Sequence, residues 1–529
     1  MSHAAASPPT LWQSITETRI NPLNGKCTTL PILSLKTQYS RNFHLSWLGF
    51  WSAFLSWFAF SPLIPEAVKS DLNLSAAQVG NSNIVSLCST LLVRLIVGPL
   101  VDRYGPRKVM AGILVLGAIP SGLAGTISSA SGLYVVRFFI GILGGTFVPC
   151  QAWTSTFFDK RVVGRANAIA GGWGNSGGGF TFIIMLAVYD RLIRDGLAKH
   201  VAWRASFAIV PVPVLLTVAA LTLIFGTDHP NGKWEDRFAR PSASFRDDVE
   251  HVAGPEDTSS TGNASSNLKD APSIQDAEKA DKRTDDEKKG SADADVNVAP
   301  VDAANPDAVG VVISSVDVAV NQPVTMAVVK ETTLNPATWL PSMAYLTTFG
   351  FELAVDANLS NVLYNMYQNK TFGQTKAGYI AAIYGLLNIF SRAFGGYFGD
   401  MVYRRFGVPG KKYLTLALGV IQGILSIALG VYIDSRSDPS LAAVIVIFVI
   451  LALFNEAGNG ANFSLVPHCN PNSNGFMTGI VGAWGNLGGV FFALIFRMQP
   501  KPYGKAFWIS GIVAVVVNLL LLPIRVPRT

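Results

Sequence analysis

Charged residues are scarce here: Asp, Glu, Lys and Arg make up 14% of the 529 residues, against 50% hydrophobic. A soluble chain carries about 25% charge, so a water-exposed surface over most of the length is excluded. Cysteine is scarcer still. Cys27, Cys88, Cys150 and Cys469 are scattered, two of them in apolar runs, with neither metal-ligand spacing nor a disulfide framework. There is also no P-loop, no nucleophile-base constellation and no metal cluster. The sequence therefore gives no basis for an enzyme, and no cofactor or metal is expected.

What it has instead is long apolar runs, with a mean hydropathy of +0.35. Windows near 45–65, 83–101, 109–128, 132–152, 167–189 and 204–225 form one set of six. A second six lie near 338–359, 378–401, 412–433, 440–462, 475–497 and 506–523. Each is long enough to cross a bilayer as a helix. The expected architecture is an all-α membrane protein of twelve transmembrane helices in two pseudo-symmetric six-helix bundles, 44–226 and 337–524. An even number of spans puts both termini, 1–43 and 525–529, on one side. Arg103, Arg107, Lys108, Lys160, Arg161, Arg165, Arg404, Arg405, Lys411 and Lys412 fall in loops on that side, so it reads as cytoplasmic. The formal charge of +7 belongs to these loops and does not point to nucleic acid.

Between the bundles, 227–336 changes character. SSTGNASSNLKDAPSIQDAEKADKRTDDEKKGSADADVN has no aromatic residue and too little apolar surface to fold, so a disordered cytoplasmic linker is expected, with serines open to a regulatory kinase. The stretch at 310–326 alternates weakly and suggests a strand or a membrane-surface segment.

Two pairs of segments recur across the bundles. Arg94, Gly98 and Asp102 in one, and Arg392, Gly396 and Asp400 in the other, both read R-x-x-x-G-x-x-x-D. Eight residues at 1.5 Å rise put each arginine roughly 12 Å from its aspartate, well inside the hydrocarbon if the aspartate marks its edge. A guanidinium there costs roughly 3 kcal/mol or more and usually lines an ion or substrate path. Two at matching places suggest an anion held between the halves. The second pair is GGWGNSGGGF at 171–180 and GAWGNLGGVF at 482–491. Gly172, Gly174 and Gly177 mimic a dinucleotide fingerprint, but they lie in a membrane helix with no preceding strand. These glycines, with Gly485 and Gly488, permit close helix packing. Asn175 and Asn486 supply amide donors at the same depth, to a ligand or between helices.

These motifs resemble the Major Facilitator Superfamily. GPLVDRYGPRK, from Gly98 to Lys108, matches its loop between the second and third helices, and GGYFGDMVYRRFG is the counterpart after the eighth. The two W-G-N-x-G-G segments narrow the resemblance to its nitrate/nitrite porters, and the long linker is similar to the fungal branch. The resemblance implies nitrate or nitrite bound between Arg94 and Arg392. It further implies contacts from Tyr345 and Phe349 on the seventh helix, Phe54 on the first, Phe147 on the fourth, and Asn175.

That arrangement suits a small planar monoanion, since a guanidinium fork matches flat oxyanion edges. Two cations and one anion leave +1 at the site, so substrate relieves repulsion and permits closure. Moving an anion inward against an inside-negative potential costs roughly 2.3 kcal/mol per 100 mV, so concentrative uptake needs at least two protons per anion. Glu352, Asp356 and Glu456 are the candidate proton carriers. Asp102, Arg103, Arg107, Asp400, Arg404 and Arg405 are expected to form cytoplasmic gates. The reading is a plasma-membrane importer of nitrate, and of nitrite, by proton symport. A proton-independent nitrate/nitrite exchanger and a membrane nitrate sensor are the alternatives.

Overall fold

The computed structural model describes residues 10–21, 24–159, 162–238, 325–470 and 474–527. Among these residues β pairing is limited to isolated bridges. A helix bonds its own backbone N–H and C=O groups, so apolar segments can enter hydrocarbon without unpaired polar atoms. In chain order the long helices are α1 (Gln38–Trp57), α2 (Ala76–Tyr104), α3 (Pro106–Thr126), α4 (Ala130–Phe157), α5 (Val163–Arg194), α6 (Lys199–Phe225) and α7 (Pro336–Tyr367). Gln374–Asp434 follows as one 61-residue hydrogen-bonded run, but Gly407 (φ 64°, ψ −159°) breaks it into α8 (374–406) and α9 (408–434). Then come α10 (Leu441–Cys469), α11 (Gly475–Met498) and α12 (Lys505–Leu520). The described residues thus give six long helices on each side of segment 239–324.

Local chemistry sets the ends. Ser75 and Gln78 form a capping box at the start of α2. Gly105, at φ 86°, ends that helix, and Pro106 opens α3. Within α4 the segment Gly141–Thr146 tightens to a 3-10 turn, and Thr90 Oγ1 donates to Gly141 O at 2.5 Å, so α4 lies directly on α2. Ile96, Leu116, Ile119, Phe390, Phe394, Val431 and Val446 point outward and exposed. Such an apolar exterior suits lipid and would aggregate in water. Across the halves α2 packs on α11 and α5 on α8. The approach is close: a Cβ on Gly98 would stand 3.0 Å from Gly475 O, and one on Gly179 2.6 Å from Leu386 N.

Two stretches expected in loose segments are packed. Within 1–43, α1 begins at Gln38, and residues before it dock under the α4–α5 turn. Lys26, Cys27, Thr29 and Leu30 are buried there. Lys26 Nζ donates to Ser155 O (3.1 Å), while Cys27 and Asp159 exchange backbone bonds with Phe157 and Cys27 at 2.9 Å. Within 227–336, residues 227–238 fold back on the α2–α3 turn, and Met326–Leu334 forms a short helix with Val328 and Thr332 buried. Composition does not reveal such docking, because a few buried side chains suffice for it. Residues 239–324, including the serine-rich tract and 310–324, lie outside the described residues.

Candidate functional site

Arg94 on α2 and Arg392 on α8 are both fully buried. Arg94 Nε donates to Gly144 O (2.8 Å) and its Nη1 to Gly482 O (2.9 Å). Arg392 Nη2 donates to Tyr345 Oη (2.9 Å). That leaves Arg94 Nη2 and Arg392 Nε and Nη1 with no protein acceptor. A buried guanidinium N–H without an acceptor is costly, so these donors call for acceptors carried in by a ligand.

Both cations flank the same rings. The Arg94 guanidinium is 4.8 Å from the Phe147 centroid and 5.1 Å from that of Phe349, and Arg392 lies at 5.8 and 5.9 Å from them. Tyr345 and Phe349, one turn apart on α7, are parallel within 3° at 4.7 Å, and Phe147 lies 19° from each. Phe463 on α10 closes the set edge-on, 4.7 Å from Phe147 and 4.9 Å from Tyr345. The glycine segments make this density possible. A Cβ on Gly485 would stand 2.6 Å from the Tyr345 ring, and one on Gly171 3.0 Å from Arg392 Nε. Gly172 meets Arg392, Gly174 meets Phe50, and Gly177 and Gly488 meet the backbones of Trp51 and Leu346.

Other expected residues stand further back. Phe54 packs on Phe50, Trp57 and Phe58, and it is Phe50, 5.4 Å from Phe147, that reaches the ring set. Asn175 Nδ2 donates to Glu352 Oε1 (2.8 Å), and Asn486 Nδ2 to Gly482 O in its own helix (2.9 Å). Glu352 also accepts from Asn388 Nδ2 on α8 (2.8 Å) and Asn459 Nδ2 on α10 (2.5 Å). Glu456 is fully buried, with the Ser391 hydroxyl of α8 beside it. Asp356 is buried one turn beyond Glu352, with Gly178, Phe54 and Phe58 nearby.

Asp102 and Asp400 each cap a helix of the other half. Gly475 N and Phe476 N, opening α11, donate to Asp102 (3.2 and 3.0 Å). Arg165 N, opening α5, donates to Asp400 (3.0 Å), which also pairs with Arg165 Nε (3.5 Å) and buried Lys411 (3.2 Å). A carboxylate at a helix N-terminus meets free N–H groups and the positive end of the dipole. The cations expected to join them do not: Arg107 pairs with Asp228 (3.1 Å) inside its own half, while Arg103, Arg404 and Arg405 are exposed. At the opposite end Glu66 N and Ala67 N donate to Gln374 Oε1 (2.7 and 3.1 Å). The arginine site is therefore closed at both ends.

The sequence matches the Major Facilitator Superfamily over residues 46–493. The chain belongs to that superfamily. This transporter is 30% identical over 495 residues to nitrate transporter 2.2 of Chlamydomonas reinhardtii, covering 94% of this chain and 78% of that protein. It is also 30% identical over 506 residues to high affinity nitrate transporter 2.5 of Arabidopsis thaliana, covering 95% and 83%. These relatives place the transporter in the nitrate/nitrite porter family. In architecture it resembles the proton:xylose symporter XylE bound to 6-bromo-6-deoxy-D-glucose (TM-score 0.62, 13% identity, 92% and 96% covered), a likeness of fold alone.

Four contributors to the transporter's site went unread in the sequence: Phe50, Phe463, Asn388 and Asn459. For one of them a signal existed. Asn455 and Asn459 lie one turn apart on α10 in FNEAGNGANF, and so many polar side chains in an apolar helix mark an inward face.

Proposed function

We propose that this transporter imports nitrate, and nitrite, across the plasma membrane by proton symport, with both chain ends cytoplasmic. The observation that carries this reading is the pair of buried guanidiniums flanking Phe147 and Phe349, with three donor nitrogens left for an incoming acceptor. A planar monoanion accepts in its own plane from both forks, and its faces rest on aromatic rings without competition from water. Arg94 comes from one half and Arg392 from the other, so the bound anion draws the halves together. Asp102 and Asp400 hold the cytoplasmic end shut until the halves rock apart, while the Glu66–Gln374 contact does the same outside.

The test is uptake of labelled nitrate into proteoliposomes with and without an imposed inward proton gradient, for the wild type, Arg94→Lys and Arg392→Lys. Gradient-driven accumulation lost in either variant is the expected result, since lysine keeps the charge but not the fork. Flux that requires internal nitrite and ignores the gradient would establish the exchanger instead. Absence of any anion flux would favour the sensor.

A further inference from the structure

We infer that Glu456 carries the symported proton, while Glu352 remains ionised as a fixed counter-charge to Arg392. This rests on the symport reading and assigns its chemistry. The two carboxyl groups share a depth and a burial but differ in their partners. Glu352 accepts three amide N–H bonds, from Asn175 on α5, Asn388 on α8 and Asn459 on α10. Three donated bonds favour the carboxylate over the acid, so the site suits the anion. Removing that charge would also release a bond that crosses between the halves.

Glu456 has no such support. The one donor beside it is the Ser391 hydroxyl on α8, which can turn to donate to the carboxylate or to accept from the acid. The neighbouring titratable groups are Glu352 and Asp356 from α7 and Tyr384 and Arg392 from α8. Tyr384 Oη is occupied, donating to Asn455 Oδ1 at 2.7 Å. Among these neighbours the positive charge comes from Arg392, whose Nε and Nη1 are uncommitted. A fully buried carboxylate with a single hydroxyl beside it, near two further carboxyl groups, is strongly disfavoured, so in this closed form Glu456 is the neutral acid.

Charge counting then couples it to the anion. Arg94, Arg392, Glu352 and one bound monoanion sum to zero with Glu456 and Asp356 both protonated. When the anion leaves, one positive charge remains. Loss of the Glu456 proton to water on that side restores neutrality and gives Arg392 a carboxylate partner. The emptied transporter can then close and return, and on the other side proton and anion load together. The remaining acid at this depth, Asp356, is left for the second proton that uptake against the potential requires.

Glu456→Gln, neutral throughout the cycle, separates the two halves of this statement. In proteoliposomes holding a pH dye, proton-driven nitrate accumulation and nitrate-dependent proton influx should both fall at least about tenfold, while nitrate/nitrite counterflow stays within about twofold of wild type and loses its pH dependence. Glu352→Gln should lose counterflow as well. Glu456→Asp should retain coupling with a displaced pH profile. Undiminished proton-coupled accumulation in Glu456→Gln overturns the assignment and leaves symport standing, as does an unmoved profile in Glu456→Asp. Loss of counterflow together with accumulation in Glu456→Gln also overturns it, because a purely structural role predicts that. A wild-type protein indifferent to the proton gradient would overturn symport itself, before any substitution is made.

Discussion

Arg94 and Arg392 occupy matching positions in the two halves, yet one leans on backbone and the other on side chains. Arg94 is held by the carbonyls of Gly144 and Gly482, whose charge and position do not change with pH. Arg392 is held by one phenol and lies near Glu352 and Glu456. The asparagines of the repeated motif diverge the same way: Asn175 reaches across to Glu352, while Asn486 bonds within its own helix. The first half is a fixed cradle and the second carries the groups that can change charge.

The sharpest way to break this contrast is to remove one fork at a time. Arg94→Lys cannot satisfy both carbonyls, and Arg392→Lys loses its phenol and its planar face. Each forfeits charge-assisted bonds of about 1.5–3 kcal/mol apiece, so uptake should fall at least about 100-fold in both. The halves should differ in residual pH dependence, altered in Arg392→Lys and unaltered in Arg94→Lys.

The gates offer the next contrast. Asp400 neutralises Lys411, which is fully buried, whereas Asp102 caps the backbone at the start of α11 and has Arg237, only part-buried, in its field. Asp400→Asn should weaken the end that these aspartates close by about 3 kcal/mol, because it strands a buried ammonium. Asp102→Asn should cost about 1 kcal/mol, the scale of a helix-dipole contact. Labelling of a cysteine introduced beside the site, from the cytoplasmic face, reads both. Equal labelling of the two variants would show that the gates are equivalent.

Smaller again is the asparagine pair. Asn175→Ala removes a donor from a buried carboxylate and should lower uptake about tenfold, while Asn486→Ala should stay within about twofold. The sequence makes the two look interchangeable, and the reason is instructive. W-G-N-x-G-G prescribes the glycines because backbones must touch on both sides, and these do: Gly177 meets Trp51 and Gly488 meets Leu346. It says nothing of what each amide faces, which depends on Glu352 lying 177 residues away from Asn175. Spans, paired arginines and capping aspartates were legible because the membrane imposes their spacing or their cost. Phe50, one turn before Phe54, was hidden among 31 phenylalanines. The docked stretches 10–21, 24–37 and 227–238 were hidden because loop composition resembles disorder.

The last of these stretches gives the finest test. Residues after α6 clasp the α2–α3 turn: Asp228 binds Arg107 through its Nε and backbone N (3.1 and 3.2 Å), and Trp234 Nε1 donates to Asp102 O at 2.9 Å. His229 sits within the clasp, where burial, then Lys26 and Arg237, hold its imidazole down at about 3 from an ordinary 6.5. The undocked loop gains a proton near 6.5 and the docked loop does not until about 3. Docking is therefore fully stable above about pH 6.5 and weakens up to tenfold per pH unit as pH falls below it. Protease cleavage within 227–238 should rise about fivefold between pH 6.5 and 5.5 in the wild type and stay level in His229→Gln. Because Trp234 grips the residue that caps α11, a clasp that opens on acidification would loosen the first-half gate and leave the Asp400 gate untouched. Cleavage that rises equally in His229→Gln would instead place the pH sensor elsewhere.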